Sequence, residues 1–267
     1  MDRTDILLAA RAALADNVAR VAGVLRTLPD LATPIGGGSI WTVREAAVHL
    51  AAWTNVYADI AVGVPSPVTE LTPAFLAAMS EQLNADVAES DPGRVTDLLT
   101  DATDRYLRIT AGWAGDQMTP YHAGLPVDLA DLTTILAADF VLHGYDIACA
   151  VGVPWLLDAG HALLTLGAYA PLLGHVCNPA TTAGLTVAYG VAVRGGPTLT
   201  VRFTDGAFAL EAPGDPVDCE ISVDPVAFLL VFSGRLPRWP AITLGLVSAG
   251  GARPELAGGF PDLFVYP

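Results

Sequence analysis

At 267 residues, 52% of them hydrophobic and 15% charged, the chain is longer than one typical domain and has a packed globular composition, so two domains with separate cores are expected. A formal net charge of −15 without a basic stripe argues against nucleic acid and anionic membranes as partners. All 13 basic residues are Arg, and the lack of Lys excludes Schiff-base catalysis, a pyridoxal-phosphate lysine and a Walker-type phosphate lysine.

From Thr4 to Leu28 the apolar positions Ile6, Leu7, Ala10, Leu14, Val18, Val21 and Leu25 recur at helical spacing, and Pro29 closes the first helix. After the Gly36-Gly37-Gly38 loop, Thr42 and Glu45 form a capping box before a second helix running towards Ile60, with His49 two turns in. Thr72-Pro73 opens a third helix running to about Ala88, and Asp91-Pro92 a fourth carrying Val95, Leu99, Ala102 and Tyr106. A polar loop from Gly115 to Val127 precedes a fifth helix from Leu129 to Val151, so the first half reads as five helices without a strand. A sixth helix, Asp158 to Val176, is expected to kink at Pro171.

Beyond it, Gly184–Val193, Leu199–Phe203, Ala207–Glu211 and Cys219–Val223 read as strands, Asp224-Pro225 starts a helix to Phe232, Ile242–Val247 is a further strand, and Pro254–Leu263 is a last helix. The fold expected is multidomain, an N-terminal all-α bundle over residues 1–154 followed by a smaller α+β domain over 155–267. No stretch of about 18 uninterrupted apolar residues is present, and Met1-Asp2-Arg3-Thr4-Asp5 lacks a signal-peptide layout, so a cytoplasmic protein is expected. Cys149, Cys177 and Cys219 are too widely spaced for a thiolate metal cluster and read as reduced thiols, Cys149 as a small buried residue. The Ala- and Arg-rich, Lys-free composition is of the kind a GC-rich genome, such as an actinobacterium's, produces.

Asp139 and His143 stand four apart on the fifth helix and face one direction, the spacing at which two side chains share a metal ion. His49 on the second helix is the available third ligand, and three N/O ligands leave a coordination position open, the pattern of catalytic zinc. The same spacing also arises in bundles whose histidines are hydrogen-bonded core residues. Trp41 and Trp53 read as core, and His122, His161 and His175 as loop or helix residues. Tyr121 and His122 are placed near the site mouth by position alone.

The stretch Ile40-Trp41-Thr42-Val43-Arg44-Glu45-Ala46-Ala47-Val48-His49-Leu50, followed about ninety residues later by Asp139-Phe140-Val141-Leu142-His143-Gly144-Tyr145-Asp146-Ile147-Ala148, resembles the two signatures of the mycothiol-dependent maleylpyruvate isomerase family, within the DinB-like metal-bundle superfamily. Asp218 to Gly234-Arg235 is similar to the sterol-carrier-like domain that often follows that bundle. The resemblance implies zinc or another divalent metal on His49, Asp139 and His143, mycothiol as thiol cosubstrate, and a small electrophile as substrate lying between bundle and second domain. It implies an isomerase, in which the thiolate adds to a conjugated double bond, the adduct rotates and elimination returns the thiol, or an S-transferase that keeps the thioether.

Asp139 replaces the usual Glu and Tyr145 the usual Trp. Asp146 is matched either as support for a ligand imidazole or as a surface ion pair, and Arg235 either as a partner for a substrate or cofactor carboxylate or as a structural pairing. Two other functions fit the same residues, a metal-dependent hydrolase, lyase or cyclase that uses no thiol, and a non-catalytic metal- or ligand-binding module.

Overall fold

The computed structural model describes residues 2–36 and 39–265, so Gly37 and Gly38 of the expected glycine loop lie outside the described residues. The chain divides into two compact units, Met1–Ala168 and Tyr169–Pro267. The first is a helical bundle of α1 (Arg3–Leu25), α2 (Val43–Ala61), α3 (Pro73–Ala85), α4 (Pro92–Ile109), α5 (Leu129–Ala150) and α6 (Ala159–Tyr169).

Each of the first five helices starts where its sequence offers a cap. Asp2, Thr42, Thr72, Asp91 and Asp128 each accept a hydrogen bond from a backbone N–H of the helix they open, which satisfies donors otherwise stranded in the first turn. α1 buries Leu7, Ala10, Leu14, Val18, Val21 and Leu25 along α5, and α2 packs between α4 and α5. Polar groups inside are paired: the hydroxyls of Tyr106 on α4 and Thr133 on α5 are 2.7 Å apart. α5 is long and apolar enough by length and composition to cross a membrane, but 67% of that window is buried within the protein.

The first unit also contains strands. β1 (Met118–Pro120) and β2 (Pro126–Asp128) form a small antiparallel hairpin in the segment read as a polar loop, which corrects the strand-free expectation. Three-residue strands paired Pro120 to Pro126 carry almost no period-2 signal, so packing against α2 and α5 rather than local propensity makes them.

The units divide between Ala168 and Tyr169, later than the expected boundary at 154/155. The difference is α6, which buries Ala162, Thr165 and Ala168 and places His161 Nδ1 3.2 Å from Asn17 Nδ2 on α1. Where a kinked helix was expected to Val176, α6 ends at Tyr169 and the chain continues as a 3-10 segment, Ala170–Val176, with Pro171 in its first turn.

The second unit is an α+β arrangement around a five-stranded sheet of order β5-β4-β3-β6-β7, with β3 (Val187–Val193), β4 (Thr198–Thr204), β5 (Ala207–Glu211), β6 (Cys219–Val223) and β7 (Val247–Gly250). β3 and β6 run parallel and the other pairs antiparallel. One face places Tyr189, Val191 and Val193 beside Val201, Ile221 and Val223, all buried. The helices are the short α7 (Pro179–Thr182), α8 (Pro225–Phe232) and α9 (Arg238–Thr243), and a 3-10 segment, Pro254–Leu263, closes the unit.

The strand expected over Ile242–Val247 is displaced. α9 occupies Arg238–Thr243 and β7 begins only at Val247, because Gly245 takes a left-handed φ of +69° while Gly245 N–H and Leu246 N–H cap the carbonyls of Ile242 and Ala241.

Candidate functional site

The capping box fixes the phase of α2. Thr42 N–H donates to Glu45 Oε2 at 2.7 Å, and Glu45 N–H faces Thr42 Oγ1 at 3.4 Å. From that start His49, Trp53 and Tyr57 fall at successive i,i+4 positions on a buried stripe of the helix. α5 is anchored at its own start by Arg3, whose guanidinium reaches Asp128 at 2.6 Å and Asp131 at 2.8 Å. Further along, Gly144 lets α5 approach its neighbours: a Cβ there would lie 2.7 Å from Trp155 Cζ2 and 3.0 Å from Val21 Cγ2.

These two helices bring His49 and His143 together, with ring centroids 4.8 Å apart and planes at 71°. Trp41 lies over both, 4.7 Å from the His49 ring and 5.8 Å from the His143 ring. His49 is only 8% exposed, and its Nδ1 has no hydrogen-bond partner among the described residues. Burial, and then the neighbouring His143, hold its pKa well below the ordinary histidine value, so the ring is neutral at physiological pH. His143 Nδ1 lies 3.2 Å from Asp146 Oδ2, an acceptor that favours a proton on Nδ1.

Asp139 stands one turn before His143 on α5, and its charge acts on Tyr121. Among the described residues no group of three or more His, Cys, Asp and Glu side chains is arranged to hold a metal ion. The structure thus brings His49 and His143 together, with Asp146 on His143. Arg235 follows α8 in the second unit, with its N–H on the Leu230 carbonyl and Nη1 3.3 Å from the Ser233 carbonyl.

An aromatic wall continues from the pair. Trp53 lies 6.2 Å from His49 and 5.1 Å from His122, and the Tyr121 and His122 rings stack at 4.1 Å, with Tyr57 beside them. His122 Nδ1 is 2.7 Å from Ser66 Oγ, which also accepts from Val68 N–H. Burial pushes the His122 pKa down to about 4. It also pushes the Tyr121 phenol up, against a hydrogen bond with Tyr57 that lowers it. The hairpin tip that presents Tyr121 and His122 holds Ala123 at φ +54°, a left-handed conformation secured by its N–H on the Val68 carbonyl at 2.8 Å.

Sequence reasoning placed His49, His143 and Asp146 by spacing and motif but read Trp41 as core. Trp41 is half-buried and lies on the histidine pair, whereas Trp53 is core, with its indole N–H on Ser80 Oγ at 3.1 Å. The His49, Trp53, Tyr57 stripe was the available signal for the aromatic wall. The Ser66 partnership of His122 had none. Cys149, expected buried, is exposed.

No known family profile matches the sequence, and no characterised protein matches it in a sequence search. Among solved structures, the mycothiol-dependent maleylpyruvate isomerase aligns over 94% of this chain and 93% of its own, at 14% identity and a TM-score of 0.55. This chain has the fold of the maleylpyruvate isomerase. A histidine-to-alanine mutant of a mycothiol-dependent maleylpyruvate isomerase aligns over the same shares at 12% identity and a TM-score of 0.55. The likeness to the isomerase thus extends through both units. Two sec-alkylsulfatase structures, one from Pseudomonas sp., align at a TM-score of 0.35 over 50% and 80% of this chain, which spans 24% and 32% of their lengths.

Proposed function

We propose that this chain is a metal-dependent enzyme that activates the thiol of mycothiol, or a thiol of its kind, for attack on a small electrophile, as an isomerase or S-transferase. The observation that carries the reading is the buried, neutral His49 with an unpartnered Nδ1, set 4.8 Å from His143 in a fold shared end to end with a mycothiol-dependent isomerase.

The donors fit a borderline cation in their chemistry. Two imidazoles and a carboxylate one turn away are the N/O set that zinc accepts, and an unpartnered buried imidazole nitrogen is costly unless something occupies it. His49 and His143 would hold the metal, with Asp139, one turn before His143, as the third ligand. A divalent ion there would supply a lowered thiol pKa.

The chain's own groups would do the rest. Asp146 holds the His143 tautomer through Nδ1, and Trp41 and Trp53 flank His49 and limit water at the pair. His122 and Tyr121, buried and neutral at physiological pH, keep the aromatic wall uncharged. The thiolate would add to a conjugated double bond, the new single bond would rotate, and elimination would return thiol and isomerised product.

Because the three ligand side chains do not converge among the described residues, a metal-free ligand-binding module is the second reading. Elemental analysis decides between them. The proposed enzyme retains close to one metal ion per chain and loses it together with thiol-dependent turnover in His49→Ala, whereas the binding module contains none and turns over no electrophile with mycothiol.

A further inference from the structure

The face of the second unit's sheet that turns away from its core carries a groove of about 450 Å³. Strand register lays out its floor. Thr200, Gly190, Glu220 and Gly250 form one rung across β4, β3, β6 and β7, and Thr198, Ala192, Ser222 and Ser248 form the next. Segment 213–217 makes a wall. A Cβ on Gly190 would lie 3.3 Å from Val217 Cγ2, so the missing side chain lets this segment rest on β3.

Two features distinguish the groove from an ordinary solvated sheet face. The first is β3, which presents only Ala188, Gly190 and Ala192 here and so gives up the cross-strand contacts that β-branched or long polar side chains would make. The second is Thr200, 2% exposed: its hydroxyl has no hydrogen-bond partner among the described residues, yet its oxygen is not sealed from solvent, so the opening it keeps is onto the groove it lines. A buried hydroxyl without a partner is costly unless something outside the protein completes it. Charge is one-sided as well. Asp215 and Glu220 line the groove, neither carboxylate has a hydrogen-bond or ion-pair partner among the described residues, and no basic or aromatic side chain lines it with them. Glu220 Oε2 lies 3.8 Å from where a Cβ on Gly250 would be, which puts this carboxylate over β7 on the groove face.

The geometry points to this groove as a binding site for a small hydroxylated organic cation, of the amino-alcohol class. Its ammonium, a donor only, suits the two carboxylates, and its hydroxyls, which donate and accept, suit Thr200 and the hydroxyls of Ser222 and Ser248. With no aromatic face to receive a quaternary ammonium, a primary amine that hydrogen-bonds through its N–H groups is the better fit. The net charge of −15 draws cations to the protein, and without a guanidinium in the groove an anion gains nothing there. The site lies wholly in the second unit and is independent of the thiol chemistry proposed above.

The test is a titration of the full chain with 3-aminopropane-1,2-diol, followed by backbone amide NMR. The amides of Gly190, Ala192, Ser222 and Ser248 should shift saturably with a roughly millimolar Kd, the strength so small a ligand can supply. Glycerol, with a hydroxyl in place of the ammonium, and propylamine, with the ammonium and no hydroxyl, should each bind about threefold more weakly or worse. Thr200→Val and Glu220→Gln, which keep shape and remove the hydroxyl or the charge, should each weaken the amino alcohol by a similar factor, whereas Thr200→Ser should bind it like the wild type. Groove amides that stay in place, shifts spread evenly over the acidic surface, glycerol or propylamine binding as tightly as the amino alcohol, or wild-type affinity in Thr200→Val or Glu220→Gln would overturn the site.

Discussion

His49 is held neutral by burial and by a neighbouring imidazole, so it gains nothing from protonation and much from a Lewis-acidic partner. Asp146, 3.2 Å from Nδ1 of the companion His143, is the residue that the proposed function makes its support. Replacing Asp146 by Asn should weaken metal binding about 10- to 100-fold, the usual effect of losing the carboxylate behind a ligand histidine, as read by competition with a fluorescent zinc chelator. His122 gives a separate signature in stability. Its folded pKa of about 4 lies below the unfolded value, so the unfolded chain binds the proton first as pH falls. The stability His122 contributes is complete above about pH 6.5 and is lost by about pH 4, roughly 3 kcal/mol over that window. Urea unfolding at pH 7 and pH 4.5 should show the loss, and His122→Gln should flatten the slope.

At the scale of elements, the close approach of α5 depends on Gly144. An alanine there would put its methyl 2.7 Å from the Trp155 ring, so Gly144→Ala should destabilise the chain by about 1–3 kcal/mol, the usual range for overpacking, in a denaturant titration. The α2 cap is a second lever: Thr42→Ala should cost about 1 kcal/mol and, by fraying the turn before His49, lower metal affinity as well.

What was legible at this scale followed signal strength. Capped, periodic helices such as α1, α2 and α4 stood out in the sequence, as did β5, β6 and α8 with their turn and Asp-Pro boundaries. The β1–β2 hairpin was hidden because tertiary packing makes it, and α9 because an apolar run after two prolines reads equally as strand. In the site, the nearness of His49, His143 and Asp146 was legible from motif and helical spacing, whereas the Ser66–His122 pairing depends on side chains far apart in sequence.

For the whole molecule, the likeness to the isomerase covers both units, so the second unit belongs to the architecture and not to an unrelated appendage. The unit boundary between Ala168 and Tyr169 makes its own prediction. A fragment ending at residue 168 should unfold cooperatively, and one ending at 154, stripped of α6 and of the Asn17–His161 contact, should melt at a lower temperature by circular dichroism.

The most direct test is bound metal and thiol-dependent turnover measured on one preparation, in wild type and His49→Ala, with mycothiol and a panel of conjugated electrophiles. Wild type should carry about one divalent ion per chain and convert at least one electrophile only when thiol is present, and His49→Ala should lose both. A metal-replete wild type with no thiol-dependent turnover, or a His49→Ala variant that keeps both metal and activity, would contradict the account.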